Sequence, residues 1–273
     1  MRQMVRFLGG SGKPIVEENT VEIAHVEDLE VQADIADVHF IVHEKKKVEI
    51  KLETFEKGPE LQVHMVNNRL EINAGLPREI KTIFNWKAPN CKLEIKIPAE
   101  FAAYCQVNTS TGSIKARNLL FETMTMKTGA GSITAENFHG KALVLKSGAG
   151  SIKVENIDTE VLETDTGAGS VIGKMCSGRI IAKSGAGSIR FTVSGEQDLE
   201  MNAGAGSIYT YFTNPKNVNA TVHANTGIGT VKTNLPHQSS ERKSSNLSTT
   251  FGDGKYNYEL KSGVGSIYLY ADE

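Results

Sequence analysis

Cysteine is scarce, with three in 273 residues at Cys91, Cys105 and Cys176, widely spaced and without a C-x-x-C pair. An odd, dispersed set excludes a disulfide framework and fits reduced thiols in a cytosolic protein. Proline is sparse as well, at 7 residues, which leaves long stretches free to run as unbroken strands. Neither sign of charge is in excess. Thirty Lys and Arg against 32 Asp and Glu give a formal net charge of −2, so no surplus is available to neutralise phosphates and no nucleic-acid partner is expected. No run of 18 apolar residues occurs, so no membrane-spanning helix is expected. The opening MRQMVRFLGGSGKPIV has no apolar core of a secretory signal. A cytoplasmic location is the expectation, with association with the cell envelope left open. No helical periodicity of useful length is found anywhere.

Glycine, by contrast, is abundant at 26 residues, and it is periodic. From residue 108 a motif recurs as NTSTGSI, KTGAGSI, KSGAGSI, DTGAGSV, KSGAGSI, NAGAGSI, NTGIGTV and KSGVGSI. Its second glycine position falls at Gly112, Gly131, Gly150, Gly169, Gly187, Gly206, Gly229 and Gly265, at intervals of 19, 19, 19, 18, 19, 23 and 36. The flanks alternate with period 2, the signature of strands. One inward register reads Met124, Leu143, Leu162, Ile180, Leu199, Val222 and Tyr258; after the motif another reads Ile114, Ile133, Ile152, Val171, Ile189, Ile208, Val231 and Ile267. Such a unit is too small to enclose a core, but stacked copies bury a continuous column of like side chains at ~4.8 Å per rung. Each buried Ile or Leu contributes roughly 1.5–3 kcal/mol.

The predicted fold is therefore all-β: a single-stranded parallel β-solenoid with rungs of about 19 residues, right-handed by the general crossover rule. Residues 108–273 form the regular stack. Residues 1–107 alternate without the glycine motif, through VHFIV (38–42), KVEIKLE (47–53), ELQVHMV (60–66), RLEINA (69–74) and KLEIKIP (92–98), and read as irregular rungs or a cap. Loops are expected around Trp86, at 213–217, and at 237–248, whose polar HQSSERKSSNLS marks an excursion from the stack or a decayed rung. Asn118, Asn137 and Asn156 coincide at the second turn of successive units and read as a structural asparagine ladder.

The segment KLEIKIPAEFAAYCQVNTSTGSIKARNL and the TGAGSI units after it resemble the bacterial DUF4097 family of adhesin-like β-strand-repeat proteins, over roughly residues 30–273. The resemblance implies a β-helical repeat domain with an adhesin-like binding role, and relatives tethered to membranes or associated with the envelope. Its motifs carry the fold and bring no catalytic residues.

The glycine motif is followed by a strand, so it lacks the helix N-terminus of a phosphate-binding loop; Ser or Thr stands where a calcium-binding repeat needs Asp. Glu136 and Glu155 share a register in adjacent units, about the ~5 Å apart that a retaining glycosidase uses. They suit a polysaccharide-active enzyme, or else a solvated charge ladder with Arg117 and Lys174. No metal site is expected; Asp198, Glu200 and His223, predicted to converge without a fourth ligand, are the weak alternative. Tyr209 with Tyr211, and Tyr268 with Tyr270, are expected on one outer face about three rungs apart, as a flat aromatic surface for a sugar or a protein. No cofactor is expected. The reading reached is a non-catalytic binding or assembly scaffold for an unidentified protein or glycan. A homodimer paired end to end through the C-terminal rung, residues 262–273, is a further expectation.

Overall fold

The computed structural model describes residues 5–7 (backbone only), 15–23, 26–77, 90–99, 101, 104–235 and 244–272. It divides into two compact units, Met1–Thr134 and Ala135–Glu273. Among the described residues the only helical element is a single 3-10 turn, Pro215–Asn217. The predicted loop around Trp86 lies outside the described residues, as does most of the run at 237–248.

The first unit contains β1 (Val5–Phe7), β2 (Ile15–Glu22), β3 (Asp28–Ala33), β4 (Ala36–His43), β5 (Lys47–Thr54), β6 (Glu60–Val66), β7 (Arg69–Gly75), β8 (Cys91–Pro98), β9 (Tyr104–Thr111), β10 (Ile114–Leu120) and β11 (Thr123–Ala130). One sheet runs β1-β2-β5-β8-β4-β10 and the other β11-β9-β3-β7-β6. Parallel rungs are made by β3 with β4, β7 with β8, and β9 with β10. Leu70, Leu29, Cys105 and Met124 stack in one inward column, and all are buried. Residues 1–107, expected as irregular rungs or a cap, are not all parallel rungs, because β1, β2, β5 and β6 pair antiparallel. The cause is local. Asn67 and Asn68 both have positive φ (47° and 63°), the two-residue turn that reverses β6 into β7 as a hairpin. The outer end of this unit is closed by a side chain: buried Glu17 on β2 accepts the Leu61 N–H of edge strand β6 at 2.7 Å.

Following β12 (Ile133–His139), the second unit contains β13 (Ala142–Ala149), β14 (Ile152–Asp158), β15 (Val161–Ala168), β16 (Val171–Cys176), β17 (Arg179–Ala186), β18 (Ile189–Val193), β19 (Leu199–Ala205), β20 (Ile208–Phe212), β21 (Ala220–Ile228), β22 (Val231–Thr233), β23 (Asn246–Phe251), β24 (Tyr256–Val264) and β25 (Ile267–Ala271). Its rungs are parallel, and Leu143, Leu162, Ile180 and Leu199 are direct register partners, as the periodicity predicts. The order then departs from the sequence. Leu199 pairs with Tyr258, and Tyr258 pairs with Val222. The last rung in sequence, β24 and β25, is thus inserted between β19–β20 and β21–β22. β24 is paired on both sides and β25 on both sides over Ile267–Leu269, so most of this rung offers no free edge to a second copy, and the end-to-end homodimer expected through residues 262–273 loses most of its geometric basis. Residues 246–248 of the predicted loop are part of β23, which runs antiparallel to β21 at the end of its sheet.

The motif's chemistry is now explicit. The hydroxyl before the first glycine points inward and donates to a corner glycine carbonyl of the neighbouring rung: Thr166 to Gly150 (2.7 Å), Ser184 to Gly169 (2.8 Å), Ser262 to Gly206 (2.9 Å) and Thr226 to Gly265 (2.6 Å). These bonds satisfy carbonyls that the turn takes out of the ladder. The Ser after the second glycine accepts the next rung's amide, as Ser151 does from Ser170 and Ser188 from Ser207, both at 3.3 Å. Glycine is required at the corner: at Gly187, φ is +148° and a Cβ would run into the Gly169 carbonyl oxygen.

Candidate binding face

Inward Ile189, Phe191, Ile208, Phe212, Ile267 and Leu269 are buried, so period 2 turns the alternate residues of β18, β20 and β25 outward. Two rows result. One runs Ile172, Arg190, Tyr209, Tyr268, Lys232; the other runs Glu155, Lys174, Thr192, Tyr211, Tyr270. The tyrosine pairs therefore sit on adjacent rungs, where about three rungs of separation were expected. Insertion of β24–β25 beside β19–β20 is what brings them together.

All four rings are half-buried. Tyr209 and Tyr268 stack with centroids 4.8 Å apart and an interplanar angle of 5°. Tyr270 meets Tyr268 edge-on, at 5.7 Å and 62°. The outer face of Tyr209 is covered by the Arg190 guanidinium at 5.0 Å, and Lys232 lies 5.8 Å from the Tyr268 centroid. Cations are attracted to ring faces by the ring quadrupole. The stack is consequently a sandwich, cation–ring–ring–cation, and leaves no broad ring face open as a platform. Among the described residues, Lys174, Arg190 and Lys232 have no ion-pair partner. Glu155 is beside Lys174 in register, but its carboxylate lies 3.1 Å from Lys153.

The other predicted sites are arranged differently. Lys153 pairs with both glutamates, its ammonium 3.9 Å from Glu136 and 3.1 Å from Glu155. Both acids thus share one ammonium, the arrangement of a solvated charge ladder. Asp198, Glu200 and His223 do not converge, because Glu259 stands between Glu200 and His223. Asp198 accepts the Asn257 N–H, Glu200 pairs with Arg179 at 3.2 Å, and His223 lies 3.2 Å from the Ser248 hydroxyl. Among the described residues no group of His, Cys, Asp or Glu is placed to hold a metal ion.

One constellation was missed in the sequence because its members are spread over three rungs. Asp158 accepts from Ser177 (2.6 Å) and lies 2.9 Å from His139 Nδ1, and the Ser177 hydroxyl and His139 hold its carboxyl below the usual range. The acid sits in the middle, so no imidazole touches the serine and the order of a nucleophilic triad is not met. In the first unit a groove of about 330 Å³ is lined by Asp28, Glu30, Arg69 and Tyr104, but Arg69 is already paired with both acids, at 3.2 and 3.5 Å.

A sequence profile of the Toastrack DUF4097 family matches residues 26–269. The chain belongs to this family. No curated protein matches it. Among solved structures, this Toastrack chain is similar to a proposed adhesin from Bacteroides fragilis, with 14% identity, TM-score 0.54 and coverage of 96% of this chain and 99% of that one. It is also similar to a proposed cell adhesion protein from Clostridium sporogenes (14% identity, TM-score 0.42, covering 95% and 100%). A third structure, a proposed lipid-binding protein from Parabacteroides distasonis, has 15% identity and TM-score 0.44 and covers 96% and 99%. At such identity, the likeness to the Bacteroides fragilis structure is one of fold. Among the described residues of this Toastrack chain, no helix is long and apolar enough to cross a membrane.

Proposed function

We propose that this chain is a non-catalytic binding scaffold that presents the face of Tyr209, Tyr211, Tyr268 and Tyr270 to a protein or a glycan. The observation that carries the reading is the packed ladder of those tyrosines with Arg190 and Lys232. Tyrosine supplies large amphipathic contact area with only two side-chain torsions to immobilise, and here the stack already restrains them. The backbone beneath is hydrogen-bonded on both sides of β20 and, over Ile267–Leu269, of β25, so most of the face is fixed before any partner arrives.

The test compares wild type with a Tyr209→Ala/Tyr268→Ala variant on arrayed glycans and arrayed surface proteins, with a thermal melt as the control for folding. Expected is specific binding by wild type and a loss of about tenfold or more in the variant, the size of a central aromatic anchor. Equal binding by both chains would overturn this face. Glycan cleavage abolished by Glu136→Gln would overturn the non-catalytic reading.

A further inference from the structure

We infer that this face recognises an acidic polysaccharide, a sugar polymer bearing carboxylate or sulfate groups, laid across Lys174, Arg190 and Lys232; the inference rests on the binding-face reading above. Lys174, Arg190 and Lys232 place three exposed cations without an ion-pair partner among the described residues on one face of a chain whose formal net charge is −2. Elsewhere on the described surface some basic groups are matched locally, as Lys45 and Lys47 are by Glu49, Lys146 by Glu163, and Arg179 by Glu200, while others, such as Lys115 and Lys127, are not. Matched pairs serve solubility, whereas unmatched cations on a flat, rigid face attract an anion. Arg190 and Lys232 are three rungs apart in one row, a Cα span of about 14 Å at ~4.8 Å per rung. A single small anion does not bridge that span, whereas a polymer with repeated charges does.

The tyrosines decide among anionic polymers. Single-stranded nucleic acid binds by stacking its bases on open ring faces, and here the facing sides of Tyr209 and Tyr268 are taken by one another and the outer ones are approached by cations. A membrane surface is gripped by apolar side chains inserted beneath the headgroups, and of the large apolar side chains exposed among the described residues only one, Met175 beside Lys174, belongs to the strands that carry these groups. Phenol hydroxyls beside guanidinium and ammonium groups suit a chain rich in hydroxyls and acids. Charge complementarity of this kind raises the rate of encounter and makes binding sensitive to salt.

The experiment measures binding of the full chain by biolayer interferometry to polygalacturonate, dextran sulfate, neutral dextran, duplex DNA and phosphatidylserine vesicles. Wild type is compared with a Lys174→Gln/Arg190→Gln/Lys232→Gln variant. All three side chains are exposed, and matching melting curves check the fold. Expected is binding to polygalacturonate or dextran sulfate, weakened at least tenfold in the triple variant and again between about 50 and about 500 mM salt, where the Debye length shrinks severalfold. Neutral dextran bound as tightly, through the tyrosines and without salt dependence, would overturn the acidic polymer while leaving the binding face standing. Binding confined to DNA or to vesicles, or no binding to either acidic polysaccharide, would overturn the inference outright.

Discussion

Cys91, Cys105 and Cys176 all point into the core, and burial pushes each thiol up, Cys176 to about 12. A thiolate is the reactive form, so at pH 8 none of the three has an appreciable reactive fraction. Iodoacetamide should leave all three unmodified in the native chain and alkylate all three in denaturant, counted by mass spectrometry. Native-state labelling of Cys105 or Cys176 would contradict the packing of their columns. The sequence supported the reduced state but not the burial, since cysteine fits either face of a strand. Tyr258 shows the same limit. In the sequence it sits in an inward register, yet a hydroxyl argues for solvent. The structure resolves this by giving the phenol the Gly195 carbonyl at 2.7 Å, inside a site where the ring is completely buried.

At the scale of a single turn, the asparagine ladder was visible from spacing alone, but its reason was not. Asn118, Asn137 and Asn156 have φ of 56°, 54° and 55°, left-handed backbone that asparagine tolerates better than other side chains. Asn156 also donates from its amide to Asn137 at 2.9 Å. The next rung puts Met175 in the same place, with φ 50° and its side chain 61% exposed. Methionine has neither the tolerance nor the amide. Met175→Asn should therefore stabilise the chain, by about 1 kcal/mol from relieved left-handed strain plus about 0.5–1 kcal/mol for one more ladder bond. Met175→Gly should recover the first contribution without the second. Urea titrations read both, and a midpoint lowered by Met175→Asn would remove the ladder as a stabilising device. The inward Thr and Ser of the motif were likewise visible as a repeated letter. Their role depends on which carbonyls a glycine corner strands, and that is a property of the turn rather than of the periodicity.

Across the second unit, the period of 19 establishes that rungs exist but not which rungs touch. Equal intervals make neighbours in sequence neighbours in space as far as Leu199, and there the inference from spacing held. The intervals of 23 and 36 are where it failed. A longer connection lets the chain leave one slot empty and return to fill it, and loop entropy opposes this only weakly, by about 0.6 kcal/mol per doubling of loop length. The whole candidate face depends on that return, because only the inserted rung sets Tyr268 on Tyr209. Rung order can be read chemically. Glu200 and Glu259 are outward register partners, whereas His223 lies one rung further out. A disulfide needs Cα atoms about 4.4–6.8 Å apart; adjacent rungs supply ~4.8 Å and alternate rungs twice that. In a background with the native cysteines replaced by alanine or valine, Glu200→Cys/Glu259→Cys should oxidise to a monomeric cross-linked chain, and Glu200→Cys/His223→Cys should not. Peptide mapping by mass spectrometry distinguishes them. The opposite pattern would restore sequence order to the rungs, separate the two tyrosine pairs, and leave the proposed face without its central stack.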